Sequence, residues 1–70
     1  RQSLRAMREL FKAEMDKAGV TYTTGIKMEP ARLQVYVYDI SEAQEKLKAA
    51  GVSIPEHVEF VQMENLPEGG

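Results

Sequence analysis

The sequence predicts an α+β two-layer sandwich. Its order is helix, strand, strand, helix, strand, with a three-stranded antiparallel sheet and both helices on one face. Three observations predict it. Apolar residues recur every three or four positions in two stretches, alternate with a period of two in three others, and a short proline-bearing link joins the first two alternating runs.

The first helix is carried by Leu4, Met7, Phe11, Met15 and Ala18, with Leu10 beside them and Arg5, Arg8, Glu9, Lys12 and Asp16 on the other face. Ser3 can accept a hydrogen bond from the first turn, and Gly19 supplies a left-handed stop. From Val20 to Met28 the period changes to two. Val20, Tyr22, Thr24, Ile26 and Met28 share one side, and Thr21, Thr23, Gly25 and Lys27 share the other. Gly25 inside that run marks a bulge or a close backbone approach. Glu29-Pro30-Ala31-Arg32 reads as the turn, with Pro30 in its second position. Leu33, Val35 and Val37 then alternate with Gln34, Tyr36 and Tyr38.

Ser41-Glu42-Ala43-Gln44 matches a capping box and places the second helix start at Ser41. Ala43, Leu47 and Ala50 face inward, Gly51 ends the helix, and Val52 follows where an apolar contact closes a helix end. Val58 and Phe60 alternate with Glu59 and Val61 in the last strand. The domain runs over 1–63, and 64–70 reads as an acidic tail without fixed structure. We expect the third strand beside the first, which leaves residues 33–38 as an outer strand.

Composition narrows the function. A chain of 70 residues forms one small domain. Such a domain buries about 60% of the surface its unfolded chain exposes, which leaves little room for a deep catalytic cavity. Eleven acidic against nine basic side chains give a net charge of −2, unlike the basic excess of a phosphate-backbone binder. The charge is uneven. Residues 1–19 hold five basic and three acidic side chains, whereas residues 51–70 hold Glu56, Glu59, Glu64 and Glu68 with no Lys or Arg. Without cysteine there is no disulfide, thiolate metal site or cysteine nucleophile. No apolar run reaches the roughly 18 residues of a membrane span. The chain begins with Arg1, which points to a segment of a longer protein.

No residues converge on catalysis. His57 is the single histidine and has neither a nucleophile nor an orienting partner at a signalled spacing. Ser41 is accounted for by its capping role, and Glu42 and Glu45 read as solubilising charge on one exposed helix face. No spacing of ligands suggests a metal, and no glycine-rich loop suggests a phosphate cofactor. The expectation is a non-enzyme with no cofactor.

The face shared by Gln34, Tyr36 and Tyr38 is the stronger candidate. If the aliphatic residues of that strand pack on the helices, both tyrosines stand on the bare face. Aromatics there can stack bases, but only Lys27 and Arg32 supply nearby positive charge, so nucleic acid is not the expected partner. Protein contact fits better, since tyrosine offers large contact area at low entropic cost. Tyr22, on the apolar side of its strand, reads as a core-edge residue with its hydroxyl at the surface. Met7 and Met15 belong to the inner helix stripe, whereas Met28 and Met63 end strands. The terminal Gly69-Gly70 resembles the tail of ubiquitin-like carriers, although the extra first helix and the missing final strand depart from that fold. The exposed sheet edge also offers a route to self-association.

One pattern goes further. Gly25-Ile26-Lys27-Met28-Glu29, Arg32-Leu33-Gln34-Val35-Tyr36-Val37-Tyr38-Asp39, Ser41-Glu42 with its helix, and Val58-Glu59-Phe60-Val61 together cover residues 20–62. In this order they resemble the C-terminal part of the prosegment in the alpha-lytic protease and streptogrisin group, secreted bacterial trypsin-like serine proteases. That family often has Asp and Asn in the hairpin turn, where this chain has Glu29 and Arg32. The resemblance carries no catalytic residue. It implies an exported accessory module whose sheet edge pairs with a protease strand and assists folding or inhibits the enzyme. It also implies that residues 33–38 form the pairing edge and that Met63 to Pro67 enter the substrate cleft, with Leu66 filling a pocket.

Overall fold

A computed structural model describes residues 3–65 of the chain. The elements follow the expected order: α1 (Leu4–Ala18), β1 (Tyr22–Met28), β2 (Ala31–Val37), α2 (Ile40–Ala49) and β3 (Val58–Gln62).

Both helices end as glycine placement dictates. Gly19 and Gly51 have φ of 78° and 76°, a region in which only glycine is free of a Cβ penalty. The Gly19 amide donates to Asp16 O and the Val20 amide to Met15 O; Gly51 and Val52 repeat the pattern on Lys48 O and Leu47 O. These paired bonds satisfy the last carbonyls and fold an apolar residue back over the final turn. Val20 is buried there, and Val52 packs against the core. Lys46 Nζ donates to the Gly19 carbonyl at 3.2 Å, tying α2 to the negative end of α1.

The helix starts differ in how they match expectation. Ser3 caps α1, its Oγ accepting from the Ala6 amide at 3.2 Å. The capping box at Ser41 does not form. Asp39 is the cap of α2, its carboxylate accepting from the Glu42 amide at 3.1 Å, and Ser41 lies inside the first turn. Starting at Ile40 lets that side chain pack against the core, and an Asp cap adds a negative charge at the positive end of the helix. The Gln62 side chain supplies a second acceptor, taking the Ile40 amide at 3.2 Å. Ala50, expected inward, is exposed as the helix closes. The hairpin turn is displaced by one residue: Met28 pairs with Ala31, so Pro30 holds the third turn position, with a cis Glu29–Pro30 bond.

The sheet corrects the expected strand order. Its order is β1-β2-β3, with β1 antiparallel and β3 parallel to β2. The sheet is therefore mixed, β2 is central, and β3 does not lie beside β1. The direction of β3 is the same in either arrangement; only its neighbour changes. Two physical reasons favour the observed order. A ten-residue helix returns the chain to the strand next door without crossing a second one. The middle position also goes to the strand with the most apolar inner face. Leu33, Val35 and Val37 are completely enclosed, whereas Tyr22 and Ile26 of β1 and Val58 and Phe60 of β3 are partly covered. Against the β2 trio pack Phe11 and Met15 from α1 and Ala43 and Leu47 from α2. Burying each large aliphatic side chain here is worth roughly 1.5–3 kcal/mol.

The shifted cap gives a simple test. Asp39→Ala should cost about 1 kcal/mol and Ser41→Ala less than about 0.5 kcal/mol, read from urea unfolding midpoints. A larger loss at Ser41 would return the helix start to the capping box.

Candidate functional site

Alternation along three aligned strands builds the helix-free face of the sheet. The register sets Thr23 opposite Tyr36, Gly25 opposite Gln34 and Lys27 opposite Arg32, and on the other side sets Gln34 beside Glu59 and Tyr36 beside Val61. Tyr36 and Gln34 are thus brought together, as expected. Tyr38, just beyond β2, is 51% exposed. Leu66 lies outside the described residues, as do the Gly69-Gly70 pair and most of the expected tail.

Tyr36 does not stand free. Its ring reaches across Gly25, where an added Cβ would meet Cε2 at 3.3 Å and the hydroxyl at 3.4 Å. This is the close approach that a glycine within a strand signals, an aromatic covering backbone that has no side chain of its own. The Tyr36 hydroxyl donates to Gln34 Oε1 at 3.0 Å, and Gln34 Nε2 points to Glu59 Oε1 at 3.5 Å, a long contact. A polar relay therefore crosses from β2 to β3 and orients the Gln34 amide. Shared parity predicts one face for Gln34, Tyr36 and Tyr38. The structure joins Gln34 and Tyr36, whereas Tyr38 lies beyond the strand and lines a cleft with Glu42, Ala43 and Lys46 of α2. Sequence reading missed Glu59 as the neighbour of Gln34, because that adjacency depends on strand order.

Residues 33–38 cannot serve as a pairing edge. Both flanks of β2 are occupied, by β1 and β3, so its main-chain donors and acceptors are already bonded. The outer edges of the sheet belong to β1 and β3.

A second feature lies on the helix side. Met7, Leu10 and Phe11 of α1 face Val52, Pro55 and His57 across a shallow apolar groove of about 310 Å³. Leu10 stands 57% exposed on its wall. His57 Nε2 is buried with no hydrogen-bond partner among the described residues, so neither a hydroxyl nor a carboxylate engages it. Among the described residues no group of three or more His, Cys, Asp or Glu could hold a metal ion. No helix there is long and apolar enough to cross a membrane.

Tyr22 sits where β1 meets α1. Its hydroxyl donates to Asp16 Oδ1 at 2.8 Å and lies 3.4 Å from the Lys12 carbonyl. Partial burial, reinforced by the bond to the Asp16 carboxylate and its charge, pushes the phenol up to about 12.

No family model, curated protein or solved structure matches this chain.

The raised Tyr22 phenol fixes the sign of an alkaline effect. The unfolded chain releases this proton near 10.0 and the folded one near 12. The stability gained from keeping it neutral is complete below the lower value and is lost as pH rises through that window. Ultraviolet titration should show a tyrosine ionising near 12 that moves toward 10 in Asp16→Asn. A Tyr22 that titrates at its ordinary value would contradict the bond to Asp16.

Proposed function

We propose that this chain is a non-catalytic protein-interaction domain that works through the helix-free side of its sheet and the outer strands. One observation carries the reading: both helices pack on the inner face of β2, so the Tyr36–Gln34–Glu59 relay lies on a face that no helix covers, and Tyr38, exposed just beyond the strand, adds aromatic surface at its end. A flat surface with anchored aromatic and amide groups suits contact with another polypeptide, since rigid tyrosines lose little freedom on binding. Positive charge on this face is limited to Lys27 and Arg32, with Glu59 opposing it. That balance disfavours a nucleic-acid partner.

In its specific form, the domain is an accessory module of the prosegment type. It binds a trypsin-like serine protease and assists its folding or inhibits it. The support is the resemblance over residues 20–62, together with a bare sheet flanked by two outer strands. Backbone pairing in this reading runs along β1 or β3 rather than β2. An adaptor role within a larger protein uses the same surface and differs only in partner.

The separating experiment mixes the domain at micromolar concentration with an alpha-lytic-type and a subtilisin-type protease. Residual activity and refolding yield are measured. The trypsin-like enzyme should lose activity or refold faster while the other is unaffected. Tyr38→Ala should weaken the effect by about tenfold, the scale of one interface tyrosine. Unchanged activity together with unchanged refolding would remove the protease reading and leave the adaptor.

A further inference from the structure

The bonding phase of the parallel pair decides which backbone groups of β3 remain free. The Leu33 amide donates to the His57 carbonyl at 2.8 Å, and the Met63 amide donates to the Val37 carbonyl at 2.9 Å. Residues facing a neighbouring strand alternate, so Glu59 and Val61 also turn their main chain toward β2. Val58, Phe60 and Gln62 turn theirs outward. The Val58 amide is taken by Pro55 O at 3.2 Å. The edge therefore offers the amides of Phe60 and Gln62 and the carbonyls of Val58, Phe60 and Gln62. Among the described residues no strand pairs with β3 on that side.

The side chains give this edge a sign and two textures. Glu59 is exposed on β3, and Glu56 and Glu64 are exposed two residues before and two residues after the strand. Residues 51–65 contain no Lys or Arg, and none of these carboxylates joins an ion pair among the described residues. Val58 and Phe60 are half-buried on the helix side, with their remaining apolar surface open. The edge of β1 carries Lys27 and no acid. Two β3 edges brought together would align like charges along one seam, which opposes pairing between identical copies.

We propose that the outer edge of β3 accepts an extended polypeptide segment of alternating basic and apolar residues as a fourth strand. Its basic side chains face Glu59 on the helix-free side, with Glu56 and Glu64 near the ends. Its apolar side chains extend the layer over Val58 and Phe60. Main-chain bonds supply attachment and the alternating side chains supply selectivity. This rests on the reading of the domain as a protein-interaction module and names its edge and the chemistry of its partner.

The test is an amide-resolved NMR titration of the full chain with a short synthetic peptide alternating lysine and valine, and with its glutamate–valine counterpart. With the lysine peptide, the Phe60 and Gln62 amides should gain protection from solvent exchange, while Glu59 and Val61, already bonded to β2, keep theirs. The glutamate peptide should produce neither effect. Glu59→Lys, an exposed change whose spectrum reports an intact fold, should weaken lysine-peptide binding about fivefold to tenfold at low salt. Equal binding of both peptides, or no protection at Phe60 and Gln62 at millimolar peptide, overturns the proposal. So does pairing of β3 with a second copy without peptide. Perturbations centred on Tyr36 and Tyr38 would overturn the edge while sustaining the broader interaction reading, and the protease assay tests that reading independently.

Discussion

The double pairing of β2 is the constraint on which the rest of the molecule depends. One seven-residue strand gives its main chain to β1 on one flank and β3 on the other, and its inner side chains to both helices. Leu33, Val35 and Val37 are the point where all five elements meet. In a domain this small, few residues can be fully enclosed, so stability concentrates where covering comes from every direction. The helix caps and the Lys46 clasp then set the helices over this strand rather than replacing it as the source of stability.

Enclosing β2 also divides the functional possibilities. A strand with both ladders occupied can be read only through its side chains, and those on the helix-free side are Arg32, Gln34 and Tyr36, with Tyr38 just beyond. Main-chain recognition passes to the flanking strands, whose charges differ: Lys27 marks β1, whereas Glu59 marks β3. The domain thus presents an aromatic–amide face between one basic and one acidic margin. In the proposed interaction role, that asymmetry discriminates between partners by charge as well as shape.

Much of this was legible in the residues, and the exceptions have a common cause. Helix and strand identities depend on local periodicity, and Ser3, Gly19 and Gly51 act within one turn of chain, so these emerged directly. The cap of α2 was harder because Asp39 and Ser41 are both good caps two residues apart. The choice between them depends on Ile40 reaching a core assembled from distant segments. Strand order is wholly non-local. The usable signal was the contrast between Leu33, Val35 and Val37 on one inner face and Tyr22, Thr24 and Ile26 on the other, since the most apolar strand takes the most covered position. The shared face of Gln34 and Tyr36 was legible from parity alone, but the position of Tyr38 was not, because alternation stops where β2 ends at Val37. Gly25 announced a close neighbour without naming Tyr36. Glu59 and the β3 edge were hidden because they follow from the strand order.

Amide hydrogen exchange along β2 tests the central position of this strand most directly. The amides of Leu33, Val35 and Val37 point to β3 and those of Gln34 and Tyr36 to β1, as the bonding phase requires. With β2 in the middle, both sets exchange slowly and lose protection together on global unfolding. Rapid exchange at Leu33, Val35 and Val37 with slow exchange at Gln34 and Tyr36 would make β2 an outer strand and contradict the account.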